Sequence, residues 1–160
     1  MELKEYKKNK CDKCATSLRL FRYLLTVARR SGAPKIRVGF LITNGKNVAL
    51  IKSNHRRETI HLLPSCDVCC EADGKDIEKT IKRTAENLGF EKISIVKYLG
   101  CKDHVSEDST PIKCFYFAVN AFPRRISKEL AWIAKSNIMD MDISRIERRI
   151  ILRYLDIEGH

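Results

Sequence analysis

The sequence predicts an α+β fold: an α/β/α sandwich with a mixed sheet and an extra helix at the N-terminus. Three observations lead to this prediction. Apolar residues recur at helical spacing in three segments, an Asn-Gly pair separates two β-prone segments, and two further strand-like segments follow the middle helix. With 160 residues and no internal repeat or long linker, the chain has the size of one domain. We divide it into an N-terminal tail and helix, residues 1–34, and a main domain, residues 35–160.

The three predicted helices span residues 16–30, 76–88 and 142–157. Ser31-Gly32-Ala33-Pro34 ends the first and Gly89 ends the second, because glycine suits the residue after a helix and proline cannot continue one. Each helix has one apolar stripe that predicts its buried face. The stripes are Leu18, Phe21, Leu25 and Ala28; Ile77, Ile81, Ala85 and Leu88; and Ile143, Ile146, Ile150, Tyr154 and Leu155.

The predicted strands fill the space between these helices. Residues 35–42 and 47–53 flank Thr43-Asn44-Gly45-Lys46, and this pattern predicts a hairpin between them. A third short strand covers residues 60–64 and is followed by a cysteine-rich loop. Two later strands, residues 92–100 and 112–122, are separated by a polar loop, and a short segment around residues 127–136 follows them.

Composition narrows the classes of function. The chain carries 31 Lys and Arg against 20 Asp and Glu, a net charge of +11, which favours nucleic acid, acidic membrane or polyphosphate partners. No apolar segment approaches the roughly 20 residues that a membrane helix needs, so no membrane association is expected. The polar N-terminus lacks the apolar core of a secretory signal. The sequence therefore predicts a cytoplasmic protein.

Residues 62–91, "LLPSCDVCCEADGKDIEKTIKRTAENLGFE", combine a strand end, a loop and a charged helix that stops at Gly89-Phe90. In this order of elements, residues 35–157 resemble the Nudix hydrolase family. The small diphosphoinositol-polyphosphate phosphatase branch is nearest in length and layout, and Glu129 and Trp132 resemble its Glu-Trp segment. The resemblance implies a Nudix-like fold and, in an intact member, Mg²⁺-dependent cleavage of a pyrophosphate.

The family's metal ligands are mostly missing. Aligning the family signature on Gly89 places its Arg-Glu pair at Lys82-Arg83 and its Glu-Glu pair at Glu86-Asn87. Mg²⁺ needs several oxygen ligands, and Arg83 puts a permanent positive charge where the ion would lie. Only Glu86 remains of the helix carboxylates. We therefore expect no bound Mg²⁺ and no catalytic residues, and we predict that the chain is not an enzyme.

Two Cys-x-x-Cys units suggest a structural zinc site. They are Cys11-x-x-Cys14 and Cys66-x-x-Cys69, and four thiolates in such pairs give tetrahedral zinc with little strain. The alternative is that these are free or buried thiols, since cysteine is among the most often buried residues. Cys114, within a predicted strand, is expected in the core.

Basic residues that could contact phosphates occur largely in pairs. Arg145, Arg149 and Arg153 recur every four residues on the last helix, which makes a ridge about 12 Å long. The alternative is a solvated helix face that contributes only solubility. The predicted phosphate- or RNA-binding residues are Arg29, Arg30, Arg56, Arg57, Arg83, Arg124, Arg125, Arg145, Arg148, Arg149 and Arg153.

These observations lead to one main hypothesis of function and two alternatives. The main hypothesis is a Nudix-fold protein without catalysis that binds RNA, with the ribosome as partner, either as a component or as an inhibitor of idle ribosomes. The first alternative is a divergent Mg²⁺-dependent pyrophosphohydrolase of a nucleotide or an inositol pyrophosphate, with Glu71 and Glu86 as ligands. The second is a sensor that holds a nucleotide or polyphosphate without cleaving it.

Overall fold

The computed structural model describes residues 13–32, 35–55, 58–69, 73–106 and 108–157. Three α-helices and a 3₁₀ helix accompany eight strands within these ranges. In chain order they are α1 (Lys13–Arg30), β1 (Lys35–Leu41), β2 (Thr43–Asn44), β3 (Asn47–His55), β4 (Glu58–Leu62), β5 (Ser65–Val68), α2 (Gly74–Asn87), β6 (Phe90–Val105), β7 (Pro111–Pro123), β8 (Leu130–Ala134), the 3₁₀ helix (Lys135–Asp140) and α3 (Arg145–Ile157).

The strands form two four-stranded sheets. The first has the order β5-β1-β7-β6 and is mixed, because β1 runs parallel to β7 while the other neighbours are antiparallel. The second is antiparallel, with the order β2-β3-β4 and β8 paired to β3. The parallel pair forms between strands far apart in the sequence, Arg37 lying opposite Cys114. This central pair fixes the mixed sheet that the sequence predicted.

Helices cover both sides of the sheets. Phe21 and Leu25 of α1, Ile77 and Ile81 of α2, and Phe117 of β7 belong to one buried apolar cluster. A second cluster lies under α3 and the 3₁₀ helix. Its α3 members are Ile150, Ile151 and Leu155, and the strand residues include Leu50, Cys114 and Tyr116. The predicted α/β/α sandwich with an N-terminal helix is therefore confirmed.

The predicted hairpin between residues 35–42 and 47–53 is wrong in its pairing. Asn44-Gly45 does form the turn, and Gly45 has a φ of +61°, but the turn joins β3 to the two-residue strand β2. The chain leaves the first sheet after Leu41, at Ile42, and β1 pairs with β5 and β7 instead. A turn motif specifies only the local reversal, whereas distant strands decide which partner the longer strand takes.

Two segments predicted as loops contain strands. The start of the cysteine-rich segment is β5, where Cys66 lies opposite Val38 of β1. The polar segment after Gly100 continues β6 as far as Val105, and Lys113 of β7 pairs there with Asp103 through an ion pair of 2.8 Å. These strands were not predicted because their side chains are largely polar, whereas the prediction of strands depended on apolar residues.

Within the described ranges, no helix combines the length and the apolar character that crossing a bilayer requires. The longest helix, α1, has 18 residues and five arginine or lysine side chains, including Arg29 and Arg30 in its last turn.

Candidate functional site

The candidate site lies on α2, the helix on which the sequence analysis aligned the Nudix signature. Asp73 begins this helix with a capping box: its carboxylate accepts from Gly74 N at 2.7 Å, and its own N–H donates to the Asp76 carboxylate at 2.8 Å. The hydrogen bond from Gly74 and the neighbouring Arg22 lower the pKa of Asp73. Arg22 of α1 also pairs with Asp73 at 3.4 Å, so α1 holds the start of α2.

Gly89 ends α2 in a conformation that only glycine adopts readily. Its φ is +100°, and a Cβ at this position would lie 1.9 Å from the carbonyl oxygen of Arg125. The Gly89 carbonyl accepts from Arg124 N at 2.8 Å and from Arg125 N at 3.0 Å. The loop after β7 is thereby fixed against the C-terminal end of α2, and it brings two basic residues to that end.

Arg83, Glu86 and Asn87 lie on the solvent side of the last turns of α2, and all three are exposed. Their spacing of three and four residues places them on one face. Among the described residues, Arg83 and Glu86 form no ion pair. The arrangement offers one guanidinium, one carboxylate and one amide to a ligand at this end of the helix. We call these three residues the α2 triad.

A Mg²⁺ cage does not fit the α2 triad. Arginine cannot bind a cation, an amide supplies one neutral oxygen, and Glu86 alone supplies a carboxylate. No group of three His, Cys, Asp or Glu side chains is close enough to hold a metal in the part of the chain that the structure describes. Glu71, the other ligand in the pyrophosphohydrolase alternative, lies outside the described residues.

The structure describes half of the predicted zinc ligands. Cys66 is half-buried against the first apolar cluster, whereas Cys69 is exposed. Burial raises the pKa of the Cys66 thiol, and the hydroxyl of Thr84 on α2 opposes that effect. Cys11 lies outside the described residues, and Cys14 belongs to α1 without a described side chain. The zinc site therefore stays a prediction. Cys114, expected in the core, is 2% exposed.

A buried carboxylate, which the sequence analysis missed, lies on the other side of the sheets. Glu147 is 8% exposed, and its Oε1 accepts from Leu63 N at 2.6 Å, which ties α3 to the end of β4. Burial raises the pKa of Glu147 to about 7, against the lowering effects of the Leu63 N–H and of Arg37. The sequence did contain an indication that Glu147 is buried, because it lies four residues after Ile143 and three before Ile150, on the apolar stripe of the helix.

A neighbouring polar pair faces the same side. The Tyr116 hydroxyl and His104 Nε2 lie 2.9 Å apart. Burial lowers the pKa of His104, and the positive charge of Arg37 adds to that effect. Burial also raises the pKa of Cys114 to about 12. These groups are kept uncharged near neutral pH, which suits packing inside the fold.

Four of the predicted phosphate-binding arginines line one open groove on the outer side of α3. We call it the arginine groove, and its volume is about 670 Å³. Arg145, Arg149 and Arg153 are exposed, whereas Arg148 is half-buried and donates to the carbonyls of Met141 at 2.8 Å and Ile143 at 3.4 Å. The lining residues are Met139, Arg145, Arg148, Arg149, Leu152, Arg153 and Asp156.

The other predicted phosphate-binding residues lie elsewhere. Arg83, Arg124 and Arg125 are associated with the C-terminal end of α2, the last two through the backbone bonds to Gly89. Arg29 and Arg30 are exposed in the last turn of α1. The pair at positions 56 and 57, Arg56 and Arg57, is outside the described residues.

Comparison with known proteins identifies the fold. No family model and no curated protein matches the sequence. Among solved structures, the Escherichia coli ORF135 protein matches with a TM-score of 0.62 and 10% identity, over 78% of this chain and 91% of that one. A NUDIX-family hydrolase from Clostridium perfringens matches with a TM-score of 0.59 and 12% identity, over 79% of this chain and 99% of that one.

A third structure contains a bound ligand. The NUDIX domain of Shewanella oneidensis NrtR, complexed with ADP ribose, matches with a TM-score of 0.55 and 14% identity, over 78% of this chain and 88% of that one. Several further matches are also named as Nudix hydrolases. At these identities the likeness establishes the fold, and this chain has the Nudix fold.

The prediction that the chain is not an enzyme is wrong in light of these structures. It depended on the carboxylates missing from α2, but four of the solved structures that share the fold are named as hydrolases. A missing ligand set argues against one way of cleaving a pyrophosphate; it does not argue against hydrolysis by other groups on the same helix.

Proposed function

We propose that the chain is a Nudix-fold hydrolase that binds a phosphate anhydride at the α2 triad and cleaves it. A nucleoside diphosphate derivative is the proposed substrate class, and the ADP ribose bound by the NrtR domain supports it. The observation that carries the proposal is the exposed triad of Arg83, Glu86 and Asn87 at the end of the helix that corresponds to the family's signature. Inorganic and inositol pyrophosphates share the same anhydride and belong to the test.

Arg83 has the role of charge neutralisation in this proposal. A pyrophosphate needs positive charge beside it as the bond between phosphorus and the bridging oxygen breaks. A guanidinium offers a planar pair of N–H donors that matches two phosphate oxygens, and it keeps its charge at every relevant pH. Arg124 and Arg125, fixed through Gly89 at the same end of α2, add positive charge around the bound phosphates.

Glu86 has the role of general base. It accepts a proton from a water molecule whose oxygen attacks one phosphorus atom, and the bond from that phosphorus to the bridging oxygen breaks. The two products are phosphate monoesters, and the proton passes from Glu86 to solvent. Asn87 donates a hydrogen bond from its amide to a phosphate oxygen. A positioned base of this kind contributes about 10²–10⁴-fold in rate.

The test measures product release from a panel of nucleoside diphosphate derivatives, inorganic pyrophosphate and an inositol pyrophosphate, with Mg²⁺, with Mn²⁺ and with EDTA. We expect at least one substrate to be cleaved, and cleavage to continue in EDTA. Glu86→Gln should lower kcat about 100-fold or more. Arg83→Gln should lower kcat/KM about 1000-fold, as expected for an arginine that stabilises transferred phosphoryl charge. Lys75→Gln, an equal charge loss at the start of the same helix, is the control.

The possible negative results of the cleavage assay distinguish the hydrolase function from its metal-free mechanism. No cleavage of any substrate, with or without divalent ions, contradicts the function itself, and calorimetry then shows whether the chain only holds a nucleotide. Cleavage that EDTA abolishes and that Glu71→Gln also abolishes would assign the reaction to a metal site that includes Glu71. That result would contradict the metal-free role given to Arg83 while retaining the hydrolase.

RNA binding is a second candidate function, and the arginine groove favours it. The ribosome as the particular target stays a prediction, which cosedimentation with ribosomes across a salt series would test.

A further inference from the structure

Among the described residues, the lining of the arginine groove has four arginines and a single acidic side chain. Arg145, Arg149 and Arg153 form no ion pair with any other described residue. That acidic side chain, Asp156, accepts from Lys135 Nζ at 2.8 Å and is therefore already paired. Exposed like charges one helical turn apart repel each other and destabilise the helix. An anion in the groove would remove that cost.

The three exposed arginines also have a regular spacing. Residues four apart on a helix are separated by about 6 Å along the axis, so the three span about 12 Å. The half-buried Arg148 lies beside them, and its two hydrogen bonds to backbone carbonyls fix its guanidinium. A ligand that matches this row carries negative charges repeated along its length, as a polyanion does.

The groove has an apolar component besides the charge. Met139 on the 3₁₀ helix is 60% exposed, and Leu152 of α3 lies beside it in the lining. A nucleic-acid strand presents evenly repeated phosphates together with the flat apolar faces of its bases, and both components have a counterpart here. An acidic peptide presents the charge without such faces.

A membrane surface fits the groove less well. A helix that binds a bilayer inserts its apolar face among the lipids. In α3 that face is already used, because Ile150, Ile151 and Leu155 are buried in the second apolar cluster. Met139 and Leu152 alone leave little apolar surface for insertion.

We propose that the arginine groove binds the phosphodiester backbone of a nucleic-acid strand, with Arg145, Arg149 and Arg153 as the contacting cations. The groove and the α2 triad belong to opposite helical layers of the fold, since α2 packs in the first apolar cluster and α3 in the second. Nucleic-acid binding there does not require a reaction at the triad; the inference rests on the second candidate function, RNA binding, and specifies its site and contacting residues.

The test is fluorescence anisotropy with a labelled single-stranded RNA of about 20 nucleotides and a DNA of the same sequence, from 50 to 200 mM salt. Each phosphate contact adds about 0.7 to the salt slope of a single strand, so removing three lowers the slope by about 2. Over this fourfold range of salt, the affinity of the wild type should therefore fall about 20-fold more than that of the Arg145→Gln, Arg149→Gln, Arg153→Gln triple variant.

A matched control is available on the other layer. Arg19, Lys75 and Lys79 are exposed on α1 and α2, and replacing all three with Gln removes the same charge. This control should keep the salt slope of the wild type. Thermal unfolding of both triple variants verifies that they fold, and cleavage of a small substrate should be equal in the groove variant and the wild type.

Several results would overturn the proposal. One is the absence of RNA or DNA binding at 50 mM salt. Another is an equal loss of binding in both triple variants, which would mean that only net charge matters. Tighter binding to polyglutamate would indicate an acidic protein partner, and binding to vesicles with phosphatidylserine in preference to RNA would indicate a membrane. The comparison of RNA with DNA identifies the type of strand.

Discussion

Replacing the buried carboxylate of Glu147 with an amide should change how stability depends on pH. Burial raises the pKa of Glu147 from 4.5 to about 7. The folded protein therefore holds this proton more tightly than the unfolded chain does. As pH rises from about 4.5, the unfolded chain ionises first, and the folded state loses stability until its own carboxyl ionises near pH 7.

The size of the effect follows from the shift. A difference of about 2.5 pKa units, at about 1.4 kcal/mol each, corresponds to about 3 kcal/mol of folding free energy at pH 8. Glu147→Gln does not titrate, and its amide oxygen can still accept the hydrogen bond from Leu63 N. We expect the variant to gain up to about 3 kcal/mol on the wild type between pH 4 and pH 8.

Urea unfolding measures this difference, with the fluorescence of Trp132 as the probe. Trp132 is the one tryptophan of the chain, and its ring contacts Phe90 with the centroids 6.1 Å apart. The lowered pKa of His104 also makes stability depend on pH, but both proteins carry that histidine and its effect cancels. Glu129→Gln controls for the loss of one exposed charge. The reasoning would be refuted if the difference in unfolding free energy between variant and wild type stayed constant with pH. It would also be refuted if the variant became less stable relative to the wild type as pH rises.

Three further predictions concern the layer of α1 and α2. Gly89→Ala should destabilise the fold by more than about 2 kcal/mol, because a positive φ strains alanine and its Cβ would collide with the Arg125 carbonyl; a change in the urea midpoint too small to detect would contradict the position of that loop. Ile81→Ala should cost about 2–5 kcal/mol by the same measurement, since Ile81 is fully buried and its loss leaves a cavity. The purified protein should contain about one equivalent of zinc by emission spectrometry, and Cys69→Ser should lower that content; less than about one-tenth of an equivalent would remove the zinc hypothesis.

Local patterns predicted the helices well. The second helix, predicted at residues 76–88, is Gly74–Asn87, and the last, predicted to begin at residue 142, begins at Arg145. Ile77, Ile81 and Ala85 are buried as their spacing indicated. Helical periodicity depends on neighbours within one turn or two, so a sequence contains it directly.

Strand pairing and the site were harder to predict. The Asn-Gly turn was correct, yet β1 joins β7, whose paired residues lie 77 positions later in the sequence. Arg145, Arg149 and Arg153 were recognised as a ridge, but the groove depends on how the 3₁₀ helix lies beside α3. Likewise, comparing α2 with the Nudix signature residue by residue predicted a chain that is not an enzyme. That comparison counted the missing carboxylates and did not consider which other groups at the end of α2 could take part in hydrolysis.

The sequence by itself determined the helices, the net charge of +11 and the presence of Arg83 and Asn87 where the aligned signature has glutamates. The tertiary structure alone decided that Glu147 of α3 accepts a hydrogen bond from Leu63 N, and that Gly89 holds the two arginines after β7 at the end of α2. The physical reason is the range of the interactions: helix formation and charge are properties of adjacent residues, whereas burial and hydrogen bonds between distant segments exist only after the chain has packed.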